Sequence, residues 1–329
     1  VRRSLVLFLL LLALCAVMHF KSETFFSPFN IRNLVRQMSL LGIFSLGVGF
    51  VIITGGIDLS VGSIIGLSGL AFVLLLTEAQ CSVGLSIFLV LALGSGLGLL
   101  HGLLVSKLKI QPFIVTLCGL LIYRGIGRFI TQDMTQGFGN DFPQLKFWVT
   151  GAFPEFALQD GTLIGVPLPF WILAGVGLLA TLFLHKSIYG RHLYALGRNE
   201  DAARYSGIKI DRLKILAYVF SAGLASFAGM LYAVYTNTVQ PANSGNTYEL
   251  YAIAACVLGG CSLRGGEGTV LGIILGAAVI PFLRNFVSMY GLTDLLEYTI
   301  IGIVILITVT TDEILKARSQ KRFAFKTLE

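Results

Sequence analysis

Apolar residues in this chain come in long unbroken runs separated by short polar stretches. That is the pattern of helices that cross a bilayer rather than of helices with one wet face. Ten runs stand out: residues 5–20, 37–54, 61–77, 83–104, 113–131, 169–185, 215–236, 250–262, 268–287 and 293–311. A span needs about 20 apolar residues, so the eighth run is too short to cross alone and is expected to be broken, or continued by residues 246–249. The expected fold is all-α, a polytopic membrane bundle of about ten helices, with residues 1–329 as one transmembrane domain. Two polar stretches break the rhythm of short connections, about 132–168 and about 186–214. Loops of that length in a compact bundle are usually functional or disordered, and neither has a low-complexity composition.

Composition points the same way. Of the 329 residues 55% are hydrophobic and 12% charged, roughly half the charge of a soluble domain. The 38 glycines against 8 prolines suit helices whose backbones approach closely in lipid. A net charge of +7 would otherwise suggest nucleic acid, but the basic residues lie in short connections, as the positive-inside rule requires. No nucleic-acid partner is expected; membrane lipid is.

With the N-terminus inside, 17 of the 24 Lys and Arg residues fall on the inner side. They are Arg2, Arg3, Lys107, Lys109, seven from Lys186 to Lys214, Arg264 and five from Lys316 to Lys326. Lys21, Arg32, Arg36, Arg124, Arg128, Lys146 and Arg284 fall outside, the last of these and Arg124 and Arg128 near outer helix ends where their side chains can snorkel. Both termini are therefore expected on the cytoplasmic side, with 186–214 inner and 132–168 outer. The first run, led by Arg2-Arg3, reads either as a cleaved signal peptide or as a first span. No small-residue cleavage site precedes Lys21-Ser22-Glu23-Thr24, which favours a span. Val1 in place of Met leaves two readings, a few missing residues or a start codon not translated as Met. Cys15, Cys81, Cys118, Cys256 and Cys261 lie in apolar stretches without metal-ligand spacing and read as buried hydrophobes.

The strongest functional signal is the inner stretch Gly197-Arg-Asn199-Glu200-Asp201-Ala202-Ala203-Arg-Tyr-Ser-Gly207. Asn199 is a good N-cap, Glu200 and Asp201 suit the first turn, Arg204 the last, and Gly207 the left-handed position after the helix. The result is a two-turn helix outside the membrane, too short to stand alone, which makes sense if another protein surface holds it. A plain solvated loop is the alternative. A second signal is Ile53-Thr-Gly55-Gly56-Ile-Asp58-Leu-Ser60-Val-Gly62. Asp58 or Ser60 can cap the helix that starts near Val61, and an ionisable group near the membrane also admits a direct role in transport. A similar Gly-Gly turn, Gly259-Gly260, leads to Gly268 and Gly272. Both turns fall on the inner side, so they are not mates in an inverted repeat. Small-residue ladders at Gly94/Gly98/Gly102, Ser221/Ala225/Gly229 and Gly268/Gly272/Gly276 read as packing seams. His101 and His185 read as structural. No phosphate-binding loop, nucleophile elbow or zinc-protease motif is present, so neither ATP hydrolysis nor bond cleavage is expected of this chain.

Residues 53–62, residues 194–208 and Val257-Leu-Gly-Gly-Cys-Ser-Leu-Arg-Gly-Gly-Glu-Gly-Thr-Val-Leu-Gly272 together resemble the ribose/xylose/arabinose-type ABC permease family, in order and over essentially the whole chain. Cys261 is a departure, since the family often has another small residue there. The resemblance implies a fold similar to vitamin B12-type importer permeases and a second permease subunit, with the pathway between the two. It also implies a cytoplasmic ATPase that holds the ATP and Mg, a periplasmic sugar-binding protein, and residues 199–207 as the ATPase-coupling helix. No cofactor on this chain is expected. The implied setting is a bacterial inner membrane and the implied cargo a pentose, hexose, deoxyhexose or furanosyl molecule. Two other readings remain: an ion-coupled secondary transporter, and a membrane scaffold or sensor that moves nothing.

Overall fold

The computed structural model describes residues 2–21, 24–157 and 163–291, with 296, 298–304, 306, 307 and 310. The chain is a polytopic membrane bundle of helices. In order these are α1 (Arg2–Lys21), α2 (Pro28–Ile53), α3 (Val61–Thr77), α4 (Val83–Ser106), α5 (Pro112–Thr131) and α6 (Pro143–Thr150). They continue as α7 (Leu168–Thr181), α8 (Ile188–Arg198), α9 (Glu200–Tyr205), α10 (Ile210–Thr236), α11 (Tyr248–Leu258) and α12 (Val270–Met289). Six segments are long and apolar enough to cross a membrane: α2, α4, α5, α10, α12, and α7 prolonged by the π-helical turn Leu182–Lys186. Leu7–Phe20, α3 and α11 are apolar but shorter. The expected run 293–311 lies partly outside the described residues.

Helix starts follow local chemistry. Ser27 caps α2 ahead of Pro28, Ser82 caps α4 and Thr269 caps α12, each by accepting from a backbone N–H three residues on. The expectation of an all-α fold needs correction in two places. β1 (Gln136–Gly137) pairs antiparallel with β4 (Thr238–Val239), and β2 (Ala152–Ala157) with β3 (Leu163–Pro167), where Ala152 faces Pro167 and the register shifts by one before Glu155↔Gly165 to Ala157↔Leu163. Backbone that is not helical must still satisfy its N–H and C=O groups, and here neighbouring connections do so by pairing. The stretch 132–168 is thus built, not a plain loop. The stretch 186–214 likewise holds α8, whose Leu193 and Leu196 are buried.

α10 is the hub, packed against α2, α3 and α4. The expected glycine seams make this possible. A Cβ on Gly98 would stand 2.8 Å from the Val219 Cα, and one on Gly102 would stand 2.6 Å from the Ile215 Cα. α2 and α10 run antiparallel: the Tyr235 hydroxyl donates to Asn33 Oδ1 at 3.0 Å, and Gly47 packs on Ser221. Gly272 and Gly276 seat α12 on α11, while Gly268 lies ahead of α12 rather than inside it. The cysteines divide, with Cys256 and Cys261 buried, Cys15 and Cys81 half-buried and Cys118 exposed.

Two apolar helices are shorter than the thickness of a membrane. α3 has 17 residues and α11 has 11, about 26 and 17 Å of helix against a hydrocarbon core of about 30 Å. Each follows a long helix and an irregular stretch, residues 54–60 before α3 and 240–247 before α11. α11 begins at Tyr248, so residues 246 and 247 do not continue it. Because α2 and α10 are antiparallel, the two irregular stretches enter the bundle from opposite ends.

Candidate functional site

At the end of the bundle where α2 stops and α10 begins, the three glycine-rich motifs meet. The Gly266 N–H donates to the Ile53 carbonyl at 2.9 Å. A Cβ on Gly265 would stand 2.8 Å from both the Gly197 carbonyl oxygen and the Gly55 nitrogen. Gly197 itself packs on the Ile53 carbonyl and Gly266, and the Tyr194 hydroxyl donates to the Gly268 carbonyl at 2.8 Å. Gly259 and Gly260 close α11 at this same place, Gly260 donating to the Val257 carbonyl at 2.9 Å. The two Gly-Gly turns therefore share one end of the bundle. Gly197 belongs to this junction and to α8, not to the short helix that follows.

That short helix, α9, has the expected caps. Asn199 Oδ1 accepts from the Ala202 N–H at 2.9 Å. Gly207, at φ +78°, donates to the Arg204 carbonyl at 3.0 Å, and Ile208 to the Ala203 carbonyl at 3.1 Å. This pair of bonds is a Schellman closure. Glu200 pairs with Arg204 at 3.2 Å and with Lys214 of α10 at 2.7 Å. Partial burial pushes the Glu200 carboxyl up, but the hydrogen bonds and charges of Lys214 and Arg204 outweigh that and hold it below its ordinary value. Asp201, Ala202 and Tyr205 are exposed, whereas Ala203 is 4% exposed and turned into the protein. α9 is thus fastened to its own bundle through Ala203 and Lys214 and offers Asp201, Ala202 and Tyr205 outward.

Asp58 is fully buried, and the expected cap is not what it makes. Ser60 is the N-cap residue of α3 but its side chain caps nothing. Asp58 Oδ1 instead accepts from the Ser60 N–H at 3.0 Å and the Ser60 hydroxyl at 2.6 Å, and Oδ2 accepts from the Ser221 hydroxyl at 2.8 Å. Its position two residues before Ser60 is too early to reach the first turn, so the carboxylate ties the irregular stretch to α10. His101 Nδ1 lies 3.5 Å from the Ser60 hydroxyl, and its Nε2 lies 2.7 Å from the Tyr123 hydroxyl. Thr116 and Tyr218 both donate to the Ile57 carbonyl, at 3.4 and 3.3 Å. Ser221 lies 11 residues beyond Ile210, about 16 Å along the helix. The carboxylate and its partners are deep in the bundle.

The two short apolar helices, α3 and α11, touch just beyond. Gly62 and Gly66 of α3 leave room for the carbonyls of Gly245 and Ser244, and Gly62 also faces the Glu249 carboxylate. Gly245 sits at φ +72°, a left-handed conformation that a side chain would strain. Arg124 donates to the carbonyls of Ser244 at 2.7 Å and Ala242 at 3.2 Å. That corrects the snorkelling expectation: Arg124 is turned inward and holds the second irregular stretch. Arg128 does sit at the helix end, paired with exposed Asp133. Glu249 Oε2 is buried without a hydrogen-bond partner among the described residues.

Sequence reasoning found Asp58, Ser60 and Gly62 but missed Ser221, Tyr123, Arg124 and Glu249, and it left His101 as a lone structural residue. Arg124 carried a readable signal, a charge 12 residues into α5 rather than at its edge. Among the described residues no cluster of His, Cys, Asp or Glu could hold a metal.

The bundle, with six helices long and apolar enough to cross a membrane, the shorter apolar α3 and α11 and a charged helical segment at one end, is that of a polytopic membrane protein. Residues 30–309 match the family described as the permease component of branched-chain amino acid transport systems, and the chain belongs to that family. It is 36% identical over 313 residues to the ribose import permease protein RbsC of Escherichia coli K12, covering 94% of this chain and 93% of that one. It is 32% identical to the xylose transport system permease protein XylH of Haemophilus influenzae, covering 94% and 96%. The galactose/methyl galactoside import permease protein MglC of Escherichia coli K12 is 31% identical, covering 95% of both. No solved structure matches the chain. In this family the ATPase is a separate subunit, so this chain is the permease component and ATP is bound elsewhere.

Proposed function

We propose that this chain is the membrane subunit of a monosaccharide importer in a bacterial inner membrane. It forms a single domain with ten spans and cytoplasmic termini, in a fold similar to vitamin B12-type permeases. Two permease subunits, identical or different, enclose the pathway. A cytoplasmic ABC ATPase docks on residues 199–207, and a periplasmic binding protein delivers the sugar on the other side. The observation that carries this reading is the attachment of α9. It is closed at both ends, tied by Glu200 to Lys214, and followed after Lys209 by α10, the hub that holds Asp58 and α3. A push on α9 is therefore transmitted as rigid-body motion into the helices around α3 and α11. Selection by the permease is weak because a sugar in transit needs transient hydrogen bonds, and specificity belongs to the binding protein.

An ion-coupled transporter is the second reading, favoured by the deeply buried Asp58 beside His101. Against it, both Asp58 oxygens are already engaged by hydroxyl and amide donors. The two readings part on one experiment. The permease is affinity-purified from membranes and its uptake of ribose, xylose and galactose is measured with and without the ATPase. Retained ATPase and ATP-dependent uptake support the importer; uptake that persists without the ATPase and follows a proton or sodium gradient overturns it. A reporter after Glu329 or near Arg198 should read cytoplasmic and one near Gln144 external.

A further inference from the structure

At the end of the bundle where α2 and α7 begin, opposite α9, the stretch from α6 to the first turn of α7 turns aromatic side chains outward. In α6 the buried pair is Leu145 and Val149, one turn apart, so Phe147 and Trp148 project away from the protein and are exposed. Phe153 and Phe156 on the β2–β3 hairpin are 67% and 64% exposed. Trp171 is exposed as well, and its Nε1 donates to the Phe153 carbonyl at 2.6 Å, which fixes the hairpin to α7. A connection that faces water carries polar groups at its exposed positions. Five large aromatic side chains left outside together mark a surface that an apolar phase covers. The phase is named by α7. Trp171, Gly175, Leu178 and Leu182 follow one another at helical spacing and are all exposed, while Leu173, Gly177 and Ala180 on the other side are buried. Residues Leu168–Lys186 are long and apolar enough to cross a membrane, so the exposed side of α7 meets hydrocarbon. The hairpin joins that stripe at Trp171, at the end of the helix, where headgroups begin.

We propose that residues 143–157, together with Trp171, form an interfacial element that lies in the lipid headgroup and upper acyl-chain region. Phe147, Trp148, Phe153 and Phe156 are its lipid-contact residues, and amphipathic rings of this kind are enriched at that depth. Backbone that is not helical can lie near hydrocarbon only if its polar groups are satisfied, and β2 meets this by pairing with β3. Glu155, the one acidic residue between 143 and 157, is paired with Arg32 of α2 at 3.4 Å. The element is fastened to two helices, to α7 through Trp171 and to α2 through Arg36, which donates to the Val149 carbonyl at 2.9 Å. It therefore holds the ends of α2 and α7 at a common depth in the bilayer. The inference goes beyond the importer reading and holds for either orientation of the chain.

Trp148 and Trp171 are the 2 tryptophans of the chain, so intrinsic fluorescence reports on this element alone. The full chain is reconstituted in phosphatidylcholine vesicles that carry a nitroxide either near the glycerol or at the end of the acyl chain, with iodide as the quencher in water. Trp171 stands on a span and meets lipid in any case, so the deciding probe is Trp148, isolated by Trp171→Phe. A second probe is placed on the hairpin by Phe156→Trp in a chain that also carries Trp148→Phe and Trp171→Phe. These exchanges put one aromatic residue for another at exposed positions and should leave membrane abundance unchanged. For both probes the shallow nitroxide should quench at least twofold more than the deep one, and iodide should quench at least threefold less than it quenches free N-acetyltryptophanamide. Strong iodide quenching without a response to either nitroxide would show that the stretch faces water and overturn the proposal. Protection from iodide and from both nitroxides would show that a protein surface, such as a second copy of the chain, covers it. That result overturns the proposal too, as does stronger quenching by the deep nitroxide, which would put the rings in the hydrocarbon core.

Discussion

The backbone N–H of Gly266 donates to the carbonyl of Ile53 at 2.9 Å, which joins the end of α2 to the loop between α11 and α12. Gly197 lies against the same carbonyl, so α8 is drawn into the contact. Three stretches far apart in the chain thus form one knot beneath the short helix α9, and the resemblance rested on these same stretches.

The knot has no room for a side chain. Gly197→Ala should place a methyl against the Ile53 carbonyl and Gly266, with an overpacking cost of about 1–3 kcal/mol. Gly84→Ala, with nothing near its added methyl, serves as the control. Thermal unfolding in detergent should show a clearly lower midpoint for Gly197→Ala and no loss for Gly84→Ala. Equal midpoints would mean that the knot is looser than its distances imply.

Ala202 and Ala203 should behave differently although they are neighbours. Ala202→Arg adds a side chain to an exposed position and should leave membrane abundance unchanged while weakening ATPase co-purification and uptake severalfold. Ala203→Arg forces a charge into the contact of α9 with its own bundle and should lower abundance as well. If Ala202→Arg retains the ATPase and transports normally, residues 199–207 are not the docking helix.

Asp58 organises donors rather than capping α3. Asp58→Leu leaves the Ser60 and Ser221 hydroxyls without their acceptor, at about 1–3 kcal/mol for each buried group, and should greatly reduce the amount of folded protein. Asp58→Asn keeps one acceptor oxygen, and a hydroxyl can rotate to accept from its amide, so most abundance and uptake should survive. Normal abundance of Asp58→Asn with uptake abolished would show that the charge itself takes part in transport.

The Glu200 carboxyl lies below its ordinary value because of Lys214 and Arg204. A depressed folded-state pKa contributes stability above the unfolded value, about 4.3, and that contribution is lost as pH falls through the folded value. Hydrogen exchange at the amides of α9 should therefore be flat from pH 8 to about pH 5 after correction for intrinsic rates, and should accelerate only at lower pH. Glu200→Gln should remove the acid-side change. An unaltered profile in that variant would assign the change to another group.

The long helices were legible because each is a continuous apolar run, and α9 because its caps are written in Asn199 and Gly207. The short helices α3 and α11 are legible only in part. Run 250–262 was visibly too short, but nothing local shows that the chain from 240 to 247 turns into the bundle, since its satisfaction comes from Arg124 on another helix. Asp58 looks like a cap because Ser60 and Val61 follow it; its partner outside this stretch, Ser221, is distant in sequence. The stretch 132–168 reads as loop because, among the described residues, its strands are short and pair with each other and with a two-residue piece after α10. Contacts of this kind leave no periodic trace.

The bond between Asp58 and Ser221 also sets an order of assembly during synthesis. Its two ends are 163 residues apart, about 8–30 s of translation at ordinary rates. Until α10 emerges, α3 lacks the helix it packs on most, and a carboxyl group with the irregular backbone of residues 54–60 has no proper place in lipid. The nascent chain must hold this hairpin at the bilayer edge or within the insertion machinery, and the bundle can close only when its tenth helix arrives. Truncated chains that stop before Ile210 should accordingly be recognised as unfinished and degraded, however apolar their individual helices are.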